Sequence, residues 1–176
     1  NTWAIFSKNQ EALEADFDFL TAGRKTAPIS DTNRLIHPER IFLEKGAKVE
    51  YSILNATDGP IYIGKNAQVW EGSMIRGAFA LCEHATVKMG AKVYGATTVG
   101  PHGKVCGEIS NSVIFGYSSK GHEGYLGNAV LGEWCNIGAD SNNSNLKNNY
   151  AKVRIWNYAT ESFEQTGLQF CGLMMG

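Results

Sequence analysis

The sequence has little surplus charge, no long apolar run and no clustered cysteines. Its 176 residues carry 16 basic and 17 acidic side chains, for a formal charge of -1, so no overall field recruits nucleic acid or an anionic membrane. No apolar run approaches the roughly 18 residues that a membrane span needs, and the amino end lacks a signal peptide's basic and then apolar layout. We therefore expect a soluble, cytoplasmic protein that binds neither nucleic acid nor membrane.

The four cysteines are widely separated along the chain. Cys82, Cys106, Cys135 and Cys171 form no Cys-x-x-Cys pair, which argues against a zinc site or a disulfide framework. We expect reduced thiols that fill small spaces in the core, and no metal.

What the sequence does contain is an internal repeat of six residues. Stepping by six gives eight aliphatic residues in succession: Ile63, Val69, Ile75, Leu81, Val87, Val93, Val99 and Val105. Four positions after each of them the residues are mostly small: Ala67, Ser73, Phe79, Ala85, Ala91, Thr97, Gly103 and Ile109. This pattern predicts an all-β hexapeptide solenoid, in which three hexads close a coil of about 18 residues and Ile63, Leu81 and Val99 share a face.

An ordinary antiparallel sheet is the alternative, because a spacing of six also satisfies a period of two. Such a sheet would need apolar residues at the positions between, where polar residues such as Lys65, Glu71, Lys88 and Lys104 stand instead. We divide the chain into an N-terminal helix and connector (1–40), the β-helix (41–150) and an extended arm or hairpin (151–176). The arm is expected to lead to further coils, in a piece of a larger protein.

The N-terminal helix is predicted from local signals. Ser7 and Gln10 have the spacing of a capping box, and Gly23 is a candidate stop. Apolar residues at Leu13 and Phe17 give the segment one apolar side.

The hexad register fails after Val105. The next position in phase is Asn111, and regular spacing resumes only at Leu126, Leu131 and Ile137. The break contains "GYSSKGHEG", which we interpret as a projecting insertion, the usual location of chemistry in a solenoid. His122 lies there between two glycines that let the backbone present the imidazole outward, although a lone histidine is also common as a surface or capping residue.

The segment "GHEGYLGNAVLGEWCNIGADSNNSN" resembles "GH-x-x-YLGD-x-x-IG-x-x-x-NIGAGT" of a known acetyltransferase domain. That domain is the left-handed β-helix of the bifunctional N-acetylglucosamine-1-phosphate uridyltransferase/glucosamine-1-phosphate acetyltransferase family. Nearly the whole chain is similar to a variant group also described as sugar nucleotidyltransferases, which shares "GPIYIGKNAQV", "KGHEGYLG", "LGEWCNIGAD" and "SNLKNNY". The resemblance implies left-handed coils, and acetyl transfer from acetyl-coenzyme A to an amino-sugar phosphate such as glucosamine-1-phosphate in UDP-N-acetylglucosamine synthesis.

The resemblance also implies roles for particular residues. His122 falls on the general base that removes a proton from the sugar amine, with Glu123 or a main-chain carbonyl orienting its ring. Tyr125 falls on a contact to the sugar phosphate, and Asn136 on a contact to the sugar. Ala139 falls on a main-chain position near the thioester.

Two further side chains belong to the implied site. Asn145 matches an asparagine at the acetyl-transfer position in an ungapped alignment, and Asn149 takes that role if a gap is present. Lys147 is a candidate substrate contact if a phosphate lies beside it. Asn136 and Asn145 fit a structural role equally well, because asparagines at coil corners tolerate left-handed backbone or form amide ladders.

The sequence departs from the family where the sugar phosphate is held. The family's arginine and lysine align with Tyr94 and with Asn111 or Ser112, none of which is basic. Compensating cations could come from Lys92, Lys104, Lys120 or Lys147. The family's "GAGT" is "GADS" here, which places Asp140 near the cofactor position.

Two other hypotheses stay open. The solenoid could be a non-catalytic trimerisation or regulatory arm of a sugar-1-phosphate nucleotidyltransferase, since it has no Gly-rich nucleotide loop of its own. A γ-carbonic-anhydrase-like metal site would need His84, His102 and His122 to converge. A homotrimer is expected in the first two cases, with an apolar contact at Trp70, Phe79 and Phe115.

Overall fold

The computed structural model describes residues 1–176, and its regular secondary structure consists mostly of short strands. Two helices come first, α1 (Trp3–Ser7) and α2 (Asn9–Thr21), and a 3-10 turn lies at Pro38–Arg40. The strands are β1 Arg34–Ile36, β2 Ile41–Leu43, β3 Lys48–Val49, β4 Ile53–Asn55, β5 Ile61–Ile63, β6 Gln68–Val69, β7 Met74–Arg76, β8 Phe79–Leu81, β9 Thr86–Val87, β10 Lys92–Tyr94, β11 Thr97–Val99, β12 Lys104–Val105, β13 Glu108–Ser110, β14 Val113–Ile114, β15 Ser119–Lys120, β16 Tyr125–Gly127, β17 Val130–Leu131, β18 Arg154–Asn157, β19 Ser162–Gln165 and β20 Met174–Met175.

All strands except β18 and β19 lie in three sheets, and every pairing within these sheets is parallel. The first sheet has the order β1-β4-β7-β10-β13-β16, the second β2-β5-β8-β11-β14-β17-β20, and the third β15-β12-β9-β6-β3. Each turn of the chain therefore adds one strand to each sheet. The protein is a parallel β-solenoid of about five turns with a short helical N-terminus, which confirms the predicted all-β fold class.

The interior of the solenoid is filled by the predicted aliphatic columns. All eight hexad aliphatics between Ile63 and Val105 are at most 2% exposed. Ile63, Leu81 and Val99 are partners in register, as predicted. Phe79 is only 1% exposed and packs into this interior, so its proposed place on a trimer contact is wrong. Trp70 and Phe115 do remain at the surface.

The N-terminal helices pack on the second sheet. Leu13 is buried against Ala78 and Ala96, and the Asn9 side-chain amide donates to the Ala96 carbonyl at 2.9 Å. The predicted capping box does not form, because Ser7 ends α1 and α2 begins without a side-chain cap. Neither helix is both long and apolar enough to cross a bilayer.

The parallel stacking begins earlier than residue 41. Strand β1 already pairs with β4 through Arg34, Leu35 and Ile36. Only Leu35 of this strand packs against the interior, so the sequence shows no aliphatic repeat that would predict β1. At the other end, β18 and β19 form an antiparallel hairpin, and β20 then returns to pair in parallel with β17.

The break in the hexad register is a deletion. Ile75, Val93 and Ile109 are partners in one column, so a step of 18 residues is followed by a step of 16. In the third sheet Val105 pairs with Lys120, a step of 15. The turn before β13 has two residues (106–107), whereas the turns before β10 and β16 have four (88–91 and 121–124). The predicted projecting insertion is therefore wrong: residues 119 and 120 form a regular strand of the solenoid.

Candidate functional site

In the third sheet, a lysine follows four valines in a column of side chains that face the interior. Register pairs join Val49, Val69, Val87 and Val105, and the next partner is Lys120. Lys120 is only 1% exposed. It is the one interior position in this column that is not aliphatic.

Backbone carbonyls compensate the buried charge of Lys120. Its ammonium nitrogen donates to the carbonyls of Cys106 at 3.3 Å and Glu123 at 3.1 Å, and to that of His122. An ammonium has three N–H donors, and all three are used here. Lys120 therefore has no donor left to bind a phosphate. Of the four lysines that could hold the sugar phosphate, Lys92, Lys104 and Lys147 remain.

Burial lowers the pKa of Lys120, an effect that the nearby Cys106, Glu123 and Asp140 partly oppose. A lowered pKa means that the folded chain loses this proton at a lower pH than the unfolded chain does. The penalty of the buried charge is thus present at neutral pH and relieved as the pH rises from the lowered pKa toward the ordinary value of 10.5. We expect the free energy of unfolding of wild type to rise relative to that of Lys120→Met between pH 7 and pH 10. Urea unfolding of both proteins at the two pH values measures this difference, and a wild type that loses stability relative to Lys120→Met over this range contradicts it.

The turn at 121–124 carries His122 and is held from below by two lysines. Lys88, which lies two coils earlier in the stack, donates its ammonium to the Gly121 carbonyl at 2.9 Å. With Lys120 bound to the next two carbonyls, three successive carbonyls of the turn accept hydrogen bonds from lysines. The His122 side chain itself is exposed. Its ring donates no hydrogen bond to Glu123 or to a main-chain carbonyl that would orient it.

The structure brings Tyr125 and Asn145 together. The Asn145 amide nitrogen donates to the Tyr125 hydroxyl at 2.9 Å and to the Asn128 side-chain oxygen at 2.7 Å. The Tyr125 phenol lies directly over Gly127, where a Cβ would collide with the ring and its hydroxyl. Asn145, not Asn149, therefore makes the contact with Tyr125, since the Asn149 side-chain oxygen only accepts from the Ala151 amide.

Gly127→Ala is expected to displace the Tyr125 ring and break its bond to Asn145. The added methyl group overlaps the phenol, a movable side chain, so the fold should survive while the site changes. If Tyr125 contacts the acceptor, the acceptor KM should rise about tenfold with an unchanged melting temperature, a loss of the size expected for one hydrogen bond. Gly138→Ala is the matched control, because a Cβ there meets only the Ser141 hydroxyl at 3.9 Å. An unchanged acceptor KM in Gly127→Ala excludes Tyr125 from the binding site.

The amide-rich tail is bound to β16 by its side chains. The Asn142 side-chain oxygen accepts from the Tyr125 amide at 2.6 Å. The Asn143 side chain accepts from the Gly127 amide at 2.8 Å and donates to the Gly127 carbonyl at 2.9 Å. These amides satisfy backbone groups that a further strand would otherwise pair. Asn142 and Asn143 thus have a structural role.

The other predicted residues are less tightly grouped. Asn136 is exposed and forms a parallel bridge with Ser119. Ala139 is also exposed, and the amide of the following Asp140 donates to the Glu123 carbonyl at 3.1 Å, so this stretch contacts the His122 turn. Lys147 donates to the Lys152 carbonyl at 3.3 Å, and no hydrogen bond connects it to the other predicted site residues.

A small cavity lies beside the turn. Its volume is about 170 Å³, and its lining includes Lys120, Tyr125, Ile137 and Asn142. Larger depressions lie elsewhere, at about 230 Å³ between α2 and the second sheet and about 400 Å³ on the first sheet. The site is therefore assigned from its chemistry and not from the size of the cavity.

Two of the remaining histidines belong to an aromatic ladder. The rings of His84 and His102 stack at 5.0 Å, and the ladder continues through Tyr117 at 4.9 Å to Trp134 at 4.6 Å. All four residues have left-handed backbone with φ between 56° and 60°, at successive levels of one corner. This ladder gives His84 and His102 a structural role. It does not include His122, and no three His, Cys, Asp or Glu residues of the chain are grouped to hold a metal ion.

No protein-family model matches the sequence, and no curated protein matches it either. The fold and the site define a parallel β-solenoid with a histidine-bearing turn held by lysines at its last complete coil.

Proposed function

We propose that the chain is an acetyl-coenzyme A dependent N-acetyltransferase domain that acts on an amino-sugar phosphate such as glucosamine-1-phosphate. The proposal places it with the left-handed β-helix acetyltransferases that its segment 121–145 resembles. The observation that carries it is the contact between Tyr125 and Asn145, two residues 20 positions apart that the resemblance assigns to one site. The exposed His122 lies three positions before Tyr125.

The proposed chemistry needs a base at His122. A neutral amine attacks the carbonyl carbon of the thioester, a C–N bond forms and the C–S bond breaks. The proton that the amine loses passes to the imidazole and then to the departing sulfur of coenzyme A. An imidazole suits this role because it exchanges protons near neutral pH, and positioned bases of this kind contribute about 10²- to 10⁴-fold to rate.

Lys92 is the best candidate for the sugar phosphate. It lines the depression of about 400 Å³ on the first sheet together with Tyr94, the residue that stands where the family has a basic side chain. Tyr94 cannot supply charge: it donates a hydrogen bond to the Glu108 carboxylate, which with burial raises the pKa of Tyr94 to about 12. Arg76 lines the same depression but is paired with Asp58.

A homotrimer is part of the proposal. The outer face of the first sheet exposes Ile53, Met74 and Tyr94. The outer face of the second sheet, by contrast, is covered by α2 and by residues around the β18–β19 hairpin. A flat, partly apolar sheet face of this kind is suited to packing against a second copy, and such packing would place the Lys92 depression between subunits.

Release of coenzyme A thiol tests the proposed function. The purified protein is incubated with acetyl-coenzyme A and one of three acceptors: glucosamine-1-phosphate, glucosamine or N-acetylglucosamine-1-phosphate. We expect turnover with the first, weaker turnover with the second, which lacks the phosphate, and none with the third, whose amine is blocked. Absence of thiol release with every amino sugar contradicts the proposal.

A non-catalytic trimerisation or regulatory arm is the second candidate. The observation that favours it is the internal use of Asn142, Asn143 and Asn145, whose side chains already bind the solenoid. In that case the protein is trimeric in sedimentation but releases no thiol.

A further inference from the structure

The exceptional residue of the solenoid interior is Lys120, and its position is unfavourable for a charge. Four valines precede it in the same column, and a valine would fill the space without any polar requirement. A buried ammonium has to recover its lost hydration through close acceptors. The reason for a lysine here therefore lies in the carbonyls that it binds.

The acceptors that Lys120 uses are the carbonyls of the turn that carries His122. It binds the carbonyls of His122 and Glu123, while Lys88 binds that of Gly121 at 2.9 Å. The turn begins with Gly121 and ends with Gly124, which has a φ of 117°. Because glycine backbone is flexible, the turn could rearrange if these hydrogen bonds were absent. Two ammonium groups thus bind three consecutive carbonyls of the turn, while the His122 side chain is exposed.

We propose that Lys120 and Lys88 are positioning residues that hold the 121–124 turn so that His122 meets the acceptor amine in a reactive geometry. This inference rests on the proposed function. Neither lysine touches the reacting atoms, because their donors are directed at main-chain carbonyls. Their effect is on the rate of the chemical step, since a base displaced by about 1 Å can lose about 100-fold in rate.

The test compares Lys120→Met and Lys88→Met with Lys48→Met. Methionine is apolar and flexible enough to continue the valine column, so Lys120→Met should fold. Lys48 is the matched control: it is an exposed lysine on β3, next to Val49 in the chain, and has no proposed role in the site. We expect kcat to fall at least about tenfold in Lys120→Met, and less in Lys88→Met, with the KM for acetyl-coenzyme A unchanged within about twofold. Lys48→Met should match wild type.

Two measurements separate positioning from a general structural role. Amide hydrogen exchange in residues 121–124 should accelerate at least about tenfold in Lys120→Met while the strands keep their protection. The NMR signals of the His122 imidazole should shift or broaden in that variant alone. A fall in kcat that accompanies a lower melting temperature and faster exchange throughout the solenoid overturns the proposal. An unchanged turn and an unchanged kcat also overturn it.

The exchange and NMR measurements do not depend on turnover. If the wild-type protein acetylates no acceptor, the proposed function fails. The lysines are then still shown to hold the His122 turn when exchange accelerates in Lys120→Met and not in Lys48→Met. If exchange in the turn is the same in all four proteins, the positioning role fails whatever the activity.

Discussion

Replacing His122 with alanine is expected to lower kcat for acetyl transfer about 10²- to 10⁴-fold, the contribution of a positioned general base. The KM for acetyl-coenzyme A should change little, because the side chain acts on the amine proton and not on the cofactor. The fold should be unaffected, since the imidazole is exposed and lies in a turn. Thiol release at saturating substrates measures the loss.

The matched control for this variant is His37→Ala. His37 is also an exposed histidine, and it has left-handed backbone with a φ of 57°, but it lies before the 3-10 turn at the opposite end of the solenoid. We expect this variant to keep the wild-type rate. If His122→Ala also keeps the wild-type rate, the base is assigned to the wrong residue.

The largest effect on stability is expected for Leu81→Ala. Leu81 is 0% exposed and lies in register between Ile63 and Val99, inside the stack of coils. Its removal leaves a cavity that closely packed neighbours cannot fill, and such truncations cost about 2–5 kcal/mol. Guanidinium unfolding should show this loss in the free energy of unfolding.

Met89→Ala is the control for the core. Met89 is 60% exposed in the turn before β10, so its truncation should cost less than about 0.5 kcal/mol. A Leu81→Ala protein as stable as Met89→Ala contradicts the assignment of the hexad aliphatics to a packed interior.

The fold could be predicted because the aliphatic residues of the six-residue repeat all face one interior. The length of the coils after Val105 could not be predicted in the same way. The register partners Ile75 and Val93 are 18 residues apart, whereas Val105 and Lys120 are 15 apart, so the later coil is three residues shorter. In a period of six, losing three residues and gaining three shift the phase equally, so the register alone cannot distinguish a deletion from an insertion. Hydrogen bonding between coils makes the distinction.

The site could be predicted only in part. The resemblance brought Tyr125 and Asn145 to one place, and the structure shows their contact. The sequence indicates Lys120 only as a possible cation for the sugar phosphate and not as a buried residue, because a lysine in a polar, glycine-rich segment is normally assigned to the surface. Counting back from Leu126 by six does reach Lys120 and then Ile114, both of them interior. A count from the later coils would therefore have found the buried lysine.

The hydrogen bonds that Asn142 and Asn143 make could not be predicted, because no periodic pattern in the sequence indicates them. Asn142 and Asn143 bind the backbone of β16 through amide groups, whose partners depend on the three-dimensional path of the chain. Sequence spacing predicts which face of a strand a residue occupies, but not which backbone group an amide will reach.

The most direct test of the account is a crystal structure of the protein with coenzyme A and glucosamine-1-phosphate. We expect the sugar amine within about 2.6–3.2 Å of a His122 ring nitrogen, the range of a hydrogen bond to a general base. Tyr125 should contact the sugar phosphate, with the 121–124 turn still bound by Lys88 and Lys120. A sugar bound away from His122, or no sugar at saturating concentration, contradicts the account.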